Sequence, residues 1–174
     1  GSGSAEVLIE VAKKYMKYIG HDNPEKRVGV VLSLPTRGEA GSPQVAKNAR
    51  QVLETTGDLA NDNQISPLII LDNAKIEKMY KGLTVKKFWP TVNNTISGLF
   101  HVFNVLTNQS SPYTSFDPTD YSTVLQCGGV MVMGVAKLKE FEDEQSVSNA
   151  VKANIEKTLL SDVELSDARV AACV

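Results

Sequence analysis

The stretch YTSFDPTDYSTVL, Tyr113 to Leu125, decides how this chain reads. It sets two carboxylates, Asp117 and Asp120, three residues apart where an irregular segment turns into a short helix. Asp117 stands as the N-cap and Pro118 as the first helical residue. An aspartate oxygen accepts the free N–H groups of a first turn, and proline has no N–H to leave unpaired there. Alone, that pattern means a capped helix and no more. Its company adds to it: a long apolar helix over Val85 to Leu106 leads in. Cys127-Gly128-Gly129 then opens a hydrophobic strand over 127–138, with Val130 to Val135 as its apolar part.

Working outward, Ser4 caps a predicted helix from Ala5 to Ile19, with Val7, Leu8, Val11, Ala12, Tyr15 and Ile19 on one face. After the polar turn HDNPEK, the valine-rich run Arg27 to Leu34 reads as a strand buried on both faces of a parallel sheet. A loop carrying Pro35, Gly38, Gly41 and Pro43 follows, then a helix over Pro43 to Thr56, a second buried strand over Pro67 to Leu71 and a short helix over Asp72 to Tyr80. This alternation is the α/β signature of a doubly wound sheet. Ligands of such sheets sit where loops leave the carboxyl ends of strands, which singles out residues 35–43 and Asp72-Asn73.

The Val85–Leu106 helix carries Phe88, Trp89, Val92, Ile96, Leu99, Phe100 and Phe103 besides its ends. Apolar coverage so wide predicts burial between layers or between two domains. Pro90 is expected in its first turn, or marks a true start near Trp89. Beyond the acidic pair come a helix over Thr119 to Leu125, the 127–138 strand, the acidic linker EFEDE (140–144), a helix over Ser146 to Leu160 and a strand starting near Arg169. These pieces read as the start of a second α/β domain. There is no internal repeat and no low-complexity segment.

At 174 residues the chain is one domain or parts of two. A net charge of −2 argues against nonspecific nucleic-acid binding and against a polybasic membrane patch. Cys127 and Cys173 lack metal-ligand spacing and read as small buried residues of a reducing cytosol, and His21 and His101 are solitary. No apolar run reaches the roughly 20 residues of a membrane span. No metal ligands are expected.

The order of long helix, acidic loop, short helix and glycine-rich strand entry resembles the tubulin/FtsZ superfamily of filament-forming GTPases. In that family a loop Asn-x-Asp-x-x-Asp/Glu enters the nucleotide pocket of the next subunit. Ser115-Phe116-Asp117-Pro118-Thr119-Asp120 matches both acids and departs at Ser115. GSGSAEVLIEVAKKY is similar to the tail of the family's phosphate loop running into its helix. LIILDNAKI (68–76) resembles its strand bearing a pocket asparagine, and TLLSDVELSDARVAACV resembles a segment entering its C-terminal domain. FtsZ-like, TubZ-like and archaeal tubulin-like members all fit.

The resemblance implies the second half of a Rossmann-like GTPase domain over residues 1–84, a central connecting helix over 85–107, and an acidic catalytic loop with a partial C-terminal activation domain over 108–174. The ends then read as cut, although GSGS is also a common linker. It further implies binding of GTP or GDP with Mg²⁺. Gly1, Ser2 and Gly3 face the phosphates as backbone N–H groups at a helix start, and Glu39 and Arg37 face ribose and phosphates. Asn73, with Asn94 or Asn93, faces the guanine edge. For each the plain alternative is an exposed loop or helix residue, and for Trp89 a core anchor. Asp117 and Asp120 would position water in trans, so that hydrolysis at a head-to-tail contact drives filament turnover in cell division or DNA segregation. The implied protein is cytoplasmic, partnered by itself and by a possible adaptor, without direct contact to nucleic acid or membrane. Two other readings stay open: a non-hydrolysing structural or regulatory filament relative, and an unrelated nucleotide- or phosphate-sugar-binding α/β domain.

Overall fold

Strand β2 (Ile65–Asp72) is the keel of the molecule, with Ile65, Leu68 and Ile69 completely or almost completely removed from solvent. The computed structural model describes residues 2–18, 27–110, 116–135, 144–156, 158 and 160–172. Along them run α1 (Ser2–Tyr18), β1 (Val28–Leu34), α2 (Arg37–Ala40), α3 (Pro43–Asn61), β2, α4 (Asn73–Met79), α5 (Val85–Leu106), α6 (Pro118–Leu125) and α7 (Glu144–Glu156), followed by a 3₁₀ turn at Leu165–Asp167. β1 pairs with β2 in parallel, from Val28 opposite Ile65 to Leu34 opposite Asp72. The expected parallel α/β core is therefore present.

β2 is buried on both faces because helices cover both. Leu68 and Ile70 pack with Ile9 of α1 and Ala60 of α3, while Ile69 packs with Met133, Leu160 and the half-buried Phe100 and Phe103 of α5. Its far edge is closed by coil: Met131 N donates to Leu68 O at 2.8 Å, and Ser161 N to Ile70 O at 2.8 Å. A third cluster, Ile76 with Val92, ties α4 to the first half of α5.

Several expectations are corrected. β1 alternates half-buried and exposed residues, leaving Val31 56% exposed, because only its Val30, Leu32 and Leu34 face packs against the core shared with α1 and α3. α1 starts at Ser2 rather than Ala5, and it buries Ile9 while Val7, Leu8, Val11 and Tyr15 stay exposed. Its apolar arc is broad and lies opposite a face of Glu6, Glu10, Lys13, Lys14 and Lys17, so periodicity alone does not say which apolar residue meets the core. α3 extends to Asn61, and α7 covers Glu144–Glu156 rather than 146–160. α5 has the expected bounds, but Pro90 lies inside it, and Val92 is its one fully buried apolar residue among those described. The predicted strand over 127–138 reduces to an isolated parallel bridge of Val130 to Leu68, since Gly128 and Gly129 both take positive φ, and residues 136–138 lie outside the described set. Near Arg169 the described residues form no strand. Cys127 is a half-buried free thiol, and Cys173 lies outside the described residues.

Candidate functional site

A cleft of about 840 Å³ opens between α1, β1 and α3. This lies within the range of small-molecule sites, roughly 300–1,000 Å³. Its floor is the apolar β1; Ser33, Glu39 and Asn73 line it where β1 and β2 end, and Ser4 of α1 with Asn48 and Thr56 of α3 add polar groups along its walls. In register those ends are level, Leu34 facing Asp72. The chain leaves both strands there, as the rule for parallel sheets requires of a ligand site.

Each polar group is held locally. Asp72 caps α4 by accepting N–H bonds from Ala74 (2.9 Å) and Lys75 (3.1 Å), which fixes Asn73 as the first helical residue. Asn73 is 7% exposed and donates one amide hydrogen to Ser33 Oγ at 3.0 Å. Its second amide hydrogen and its carbonyl oxygen remain for a ligand. Thr36 and Glu39 form a reciprocal capping box at the start of α2: the Thr36 hydroxyl accepts from Glu39 N at 3.3 Å, and Glu39 Oε2 accepts from Thr36 N at 2.9 Å. Glu77 of α4 accepts from Arg37 N at 3.2 Å, so α4 lies across the end of β1 and locks the loop to it.

The Thr36 N–H, and then its hydroxyl, hold the Glu39 carboxyl below the ordinary glutamate range. With the native pKa lowered, the stability this cap gives is complete above the unfolded pKa, about 4.3, and is lost as pH falls through the native value. Thr36→Ala removes the hydroxyl but keeps the backbone donor. Site-resolved NMR titration should then find Glu39 moved partway back toward its ordinary range, and an unmoved Glu39 would refute the capping account.

The acidic pair heads α6 and is not among the cleft's lining residues. Asp117 Oδ1 accepts from Thr119 N (2.7 Å) and Asp120 N (3.0 Å), while Asp120 Oδ2 accepts from Asp117 N at 3.1 Å. Both side chains are exposed, and each keeps one carboxylate oxygen outside the capping box. Tyr121 anchors the helix beneath them, buried and stacked on Phe103 with ring centres 6.1 Å apart; burial raises its pKa. The other end of α6 is fastened to the beginning of β2: buried Ser66 donates to Leu125 O at 2.7 Å and accepts from Gly128 N at 3.1 Å. Gly128 takes φ +77°, where any side chain is strained, and a Cβ there would also push aside Asn63 Oδ1, 2.9 Å away.

No protein-family model and no curated protein matches the sequence. Solved structures do. GDP-form protofilaments of TubZ from Bacillus thuringiensis serovar israelensis align with a TM-score of 0.70 at 19% identity, over 92% of this chain and 42% of theirs. The GTPγS-form protofilament of the same protein gives 0.68 at 20% identity, over 92% and 40%. TubZ of Clostridium botulinum phage c-st gives 0.63 at 20% identity, over 94% and 46%. The fold is tubulin/FtsZ-like. The chain spans less than half the length of each of these structures.

Within this tubulin/FtsZ-like body the expected site residues divide. Glu39 and Asn73 line one cleft, next to Ser4. Ser2 and Gly3 form the start of α1, and Gly1 lies outside the described residues. Arg37, Asn93 and Asn94 are exposed and are not among the cleft's lining residues. Asp117 and Asp120 stand apart from all of these. Ser33, Glu77 and Ser66 went unread in the sequence. Ser33 alone carried a signal, as the polar break in the apolar run Val28–Leu34. Among the described residues no group of three or more His, Cys, Asp or Glu gathers as a metal site, and no helix is long and apolar enough to cross a membrane.

Proposed function

We propose that this chain is part of a self-assembling cytoplasmic GTPase of the tubulin/FtsZ type, in which GTP bound at the strand carboxyl ends is hydrolysed with carboxylates supplied by the next subunit. One observation supports this above others. Glu39 and Asn73 line the cleft where β1 and β2 end, whereas the acidic pair opens α6, whose other end is fastened to the beginning of β2. Neither aspartate lines its own cleft; a head-to-tail neighbour would supply the pair instead, and such heterologous contacts build open filaments.

In this reading the first turn of α1, with Gly1, Ser2 and Gly3, faces the phosphates as N–H donors. Glu39 accepts a ribose hydroxyl and Arg37 reaches a phosphate. Asn73 reads the base edge with its free amide groups, and Asn93 or Asn94 is a second contact on that edge. The incoming Asp120, through the oxygen left outside the capping box, polarises a water, and Asp117 holds it in line. The capping box supports this role because it fixes both carboxylates before the subunits meet. Mg²⁺ would arrive with the nucleotide's phosphates. The described residues offer it no ligand set of their own, so no step is assigned to it. The process served is cell division or DNA segregation, with an adaptor as a second partner.

Phosphate release by the full-length protein should show a threshold in protein concentration, with turnover vanishing below it and rising steeply above. Turnover proportional to concentration from zero would reject catalysis in trans. Assembly with GTP but no turnover at any concentration would leave the non-hydrolysing filament protein.

A further inference from the structure

The first turn of α4 spans the carboxyl end of β2 from one edge to the other. On one side Asn73 donates to Ser33 Oγ at 3.0 Å, and Ser33 belongs to β1, the strand paired along that edge. On the other side Lys75 Nζ donates to Leu160 O at 3.1 Å and to the Asp162 carboxylate. Leu160 and Ser161 close the far edge: Leu160 bridges antiparallel to Leu71, and Ser161 N donates to Ile70 O at 2.8 Å. Side chains two residues apart on a helix do not share a face, which lets a single turn reach both segments.

The two contacts of Lys75 differ in weight. Its own side chain is 15% exposed, but that of Asp162 is 80% exposed, so water screens the ion pair. Leu160 is 1% exposed and packed with Ile69 and Met133. Its carbonyl would lose a charged donor that little water can replace, which makes the carbonyl the anchor. α4 has seven residues, too few to hold a direction by itself. Asp72 fixes where the helix starts, while Ile76 on Val92 and Glu77 on Arg37 N hold its far half. The orientation of the first turn is left to Ser33 and Leu160.

We infer that Lys75 is a positioning residue for Asn73: by tying the first turn of α4 to Leu160, it sets how the asparagine amide meets a ligand in the cleft. The inference rests on the guanine-nucleotide reading of the cleft. It adds to that reading a residue that touches no ligand and a segment, 160–162, through which base recognition is tuned. Such coupling is reciprocal. If the segment helps Asn73 bind a base, a bound base must tighten the segment by the same factor.

Binding of GDP and of ADP to the full-length protein, kept below its assembly threshold, tests this. The two share ribose and phosphates, so the ratio of their affinities reports the base edge alone. Lys75→Met keeps the length of the side chain and removes its donors. It should lower the preference for GDP by at least ~5-fold, through weaker GDP binding with ADP little changed. Lys75→Arg still offers donors to Leu160 O and should retain most of the preference, and Asp162→Ala should stay near wild type. In the wild type, GDP should slow hydrogen exchange at Ser161 N, and in Lys75→Met that slowing should disappear. A merely structural lysine would weaken both nucleotides alike; an unchanged ratio in folded Lys75→Met, by circular dichroism, therefore overturns the inference. Wild-type exchange at Ser161 indifferent to GDP overturns it whether or not the variant folds. Both results leave the nucleotide reading standing, since GDP is still preferred. A wild type without preference for GDP over ADP would remove both readings.

Discussion

Asp120→Asn is expected to lower GTP turnover above the assembly threshold by ~10²-fold or more, with polymers that persist longer because their nucleotide is spent more slowly. The substitution is chosen for what it keeps. Asp120 Oδ2 accepts the Asp117 N–H at 3.1 Å, and an asparagine carbonyl oxygen can accept the same bond. The charge disappears while the start of α6 holds its shape. Asp120→Ala loses the reciprocal bond as well, and a lost cap costs about 0.5–2 kcal/mol, so its phenotype mixes chemistry with order. Phosphate release and pelleting, measured on the same samples, separate the two effects. Turnover at the wild-type rate in Asp120→Asn polymers would remove this carboxylate from the chemistry and leave Asp117 and Asp120 as a helix cap alone.

That last outcome is a fair rival because the sequence carries both meanings in the same residues. Asp117 as N-cap, Pro118 at the first helical position and the bounds of α5 were legible, since capping and helical periodicity act over a few neighbouring residues. The reciprocal bond from Asp117 N to the Asp120 carboxylate was equally local and went unread, as did the Thr36/Glu39 capping box, whose Thr-x-x-Glu spacing is its own sequence signature. What local pattern cannot supply is which side of an element meets which other. α1 has a broad apolar arc opposite its charged side, and within that arc Ile9 became the core residue through α3 and β2, distant in sequence. The 127–138 run has strand composition, yet it crosses Gly128 and Gly129 in positive φ and reaches β2 through a bond from Met131. Asn73 and Glu39 meet at one cleft because the ends of β1 and β2 are level. Asn93 and Asn94 had equal claim by type, and the rotation of α5 turned them to solvent.

The keel carries the other large effect. Leu68 and Ile69 are adjacent, both essentially without exposed surface, and they point to opposite faces of β2. Truncating either to alanine leaves a hole in a different layer: Leu68→Ala among Ile9, Ala60 and Ile70, Ile69→Ala among Met133, Leu160 and the phenylalanines of α5. Each should cost about 2–5 kcal/mol, a large part of a total that is typically about 5–15 kcal/mol. For a chain of this size that corresponds to a fall in melting temperature of roughly 5–20 °C. The consequences differ by face. Ile69 sits where α5 and the coils around Met133 and Leu160 meet the sheet, so its loss should release that layer first, seen as early proteolytic cleavage after α5 while α1 to β2 stays protected. Leu68→Ala should instead expose α1 and α3 to exchange and leave α6 on its Ser66 anchor, since neither bond of that anchor involves the Leu68 side chain. Identical protection patterns in the two variants would mean that β2 is not a wall between two layers, and the sheet would then have to be treated as one cooperative core.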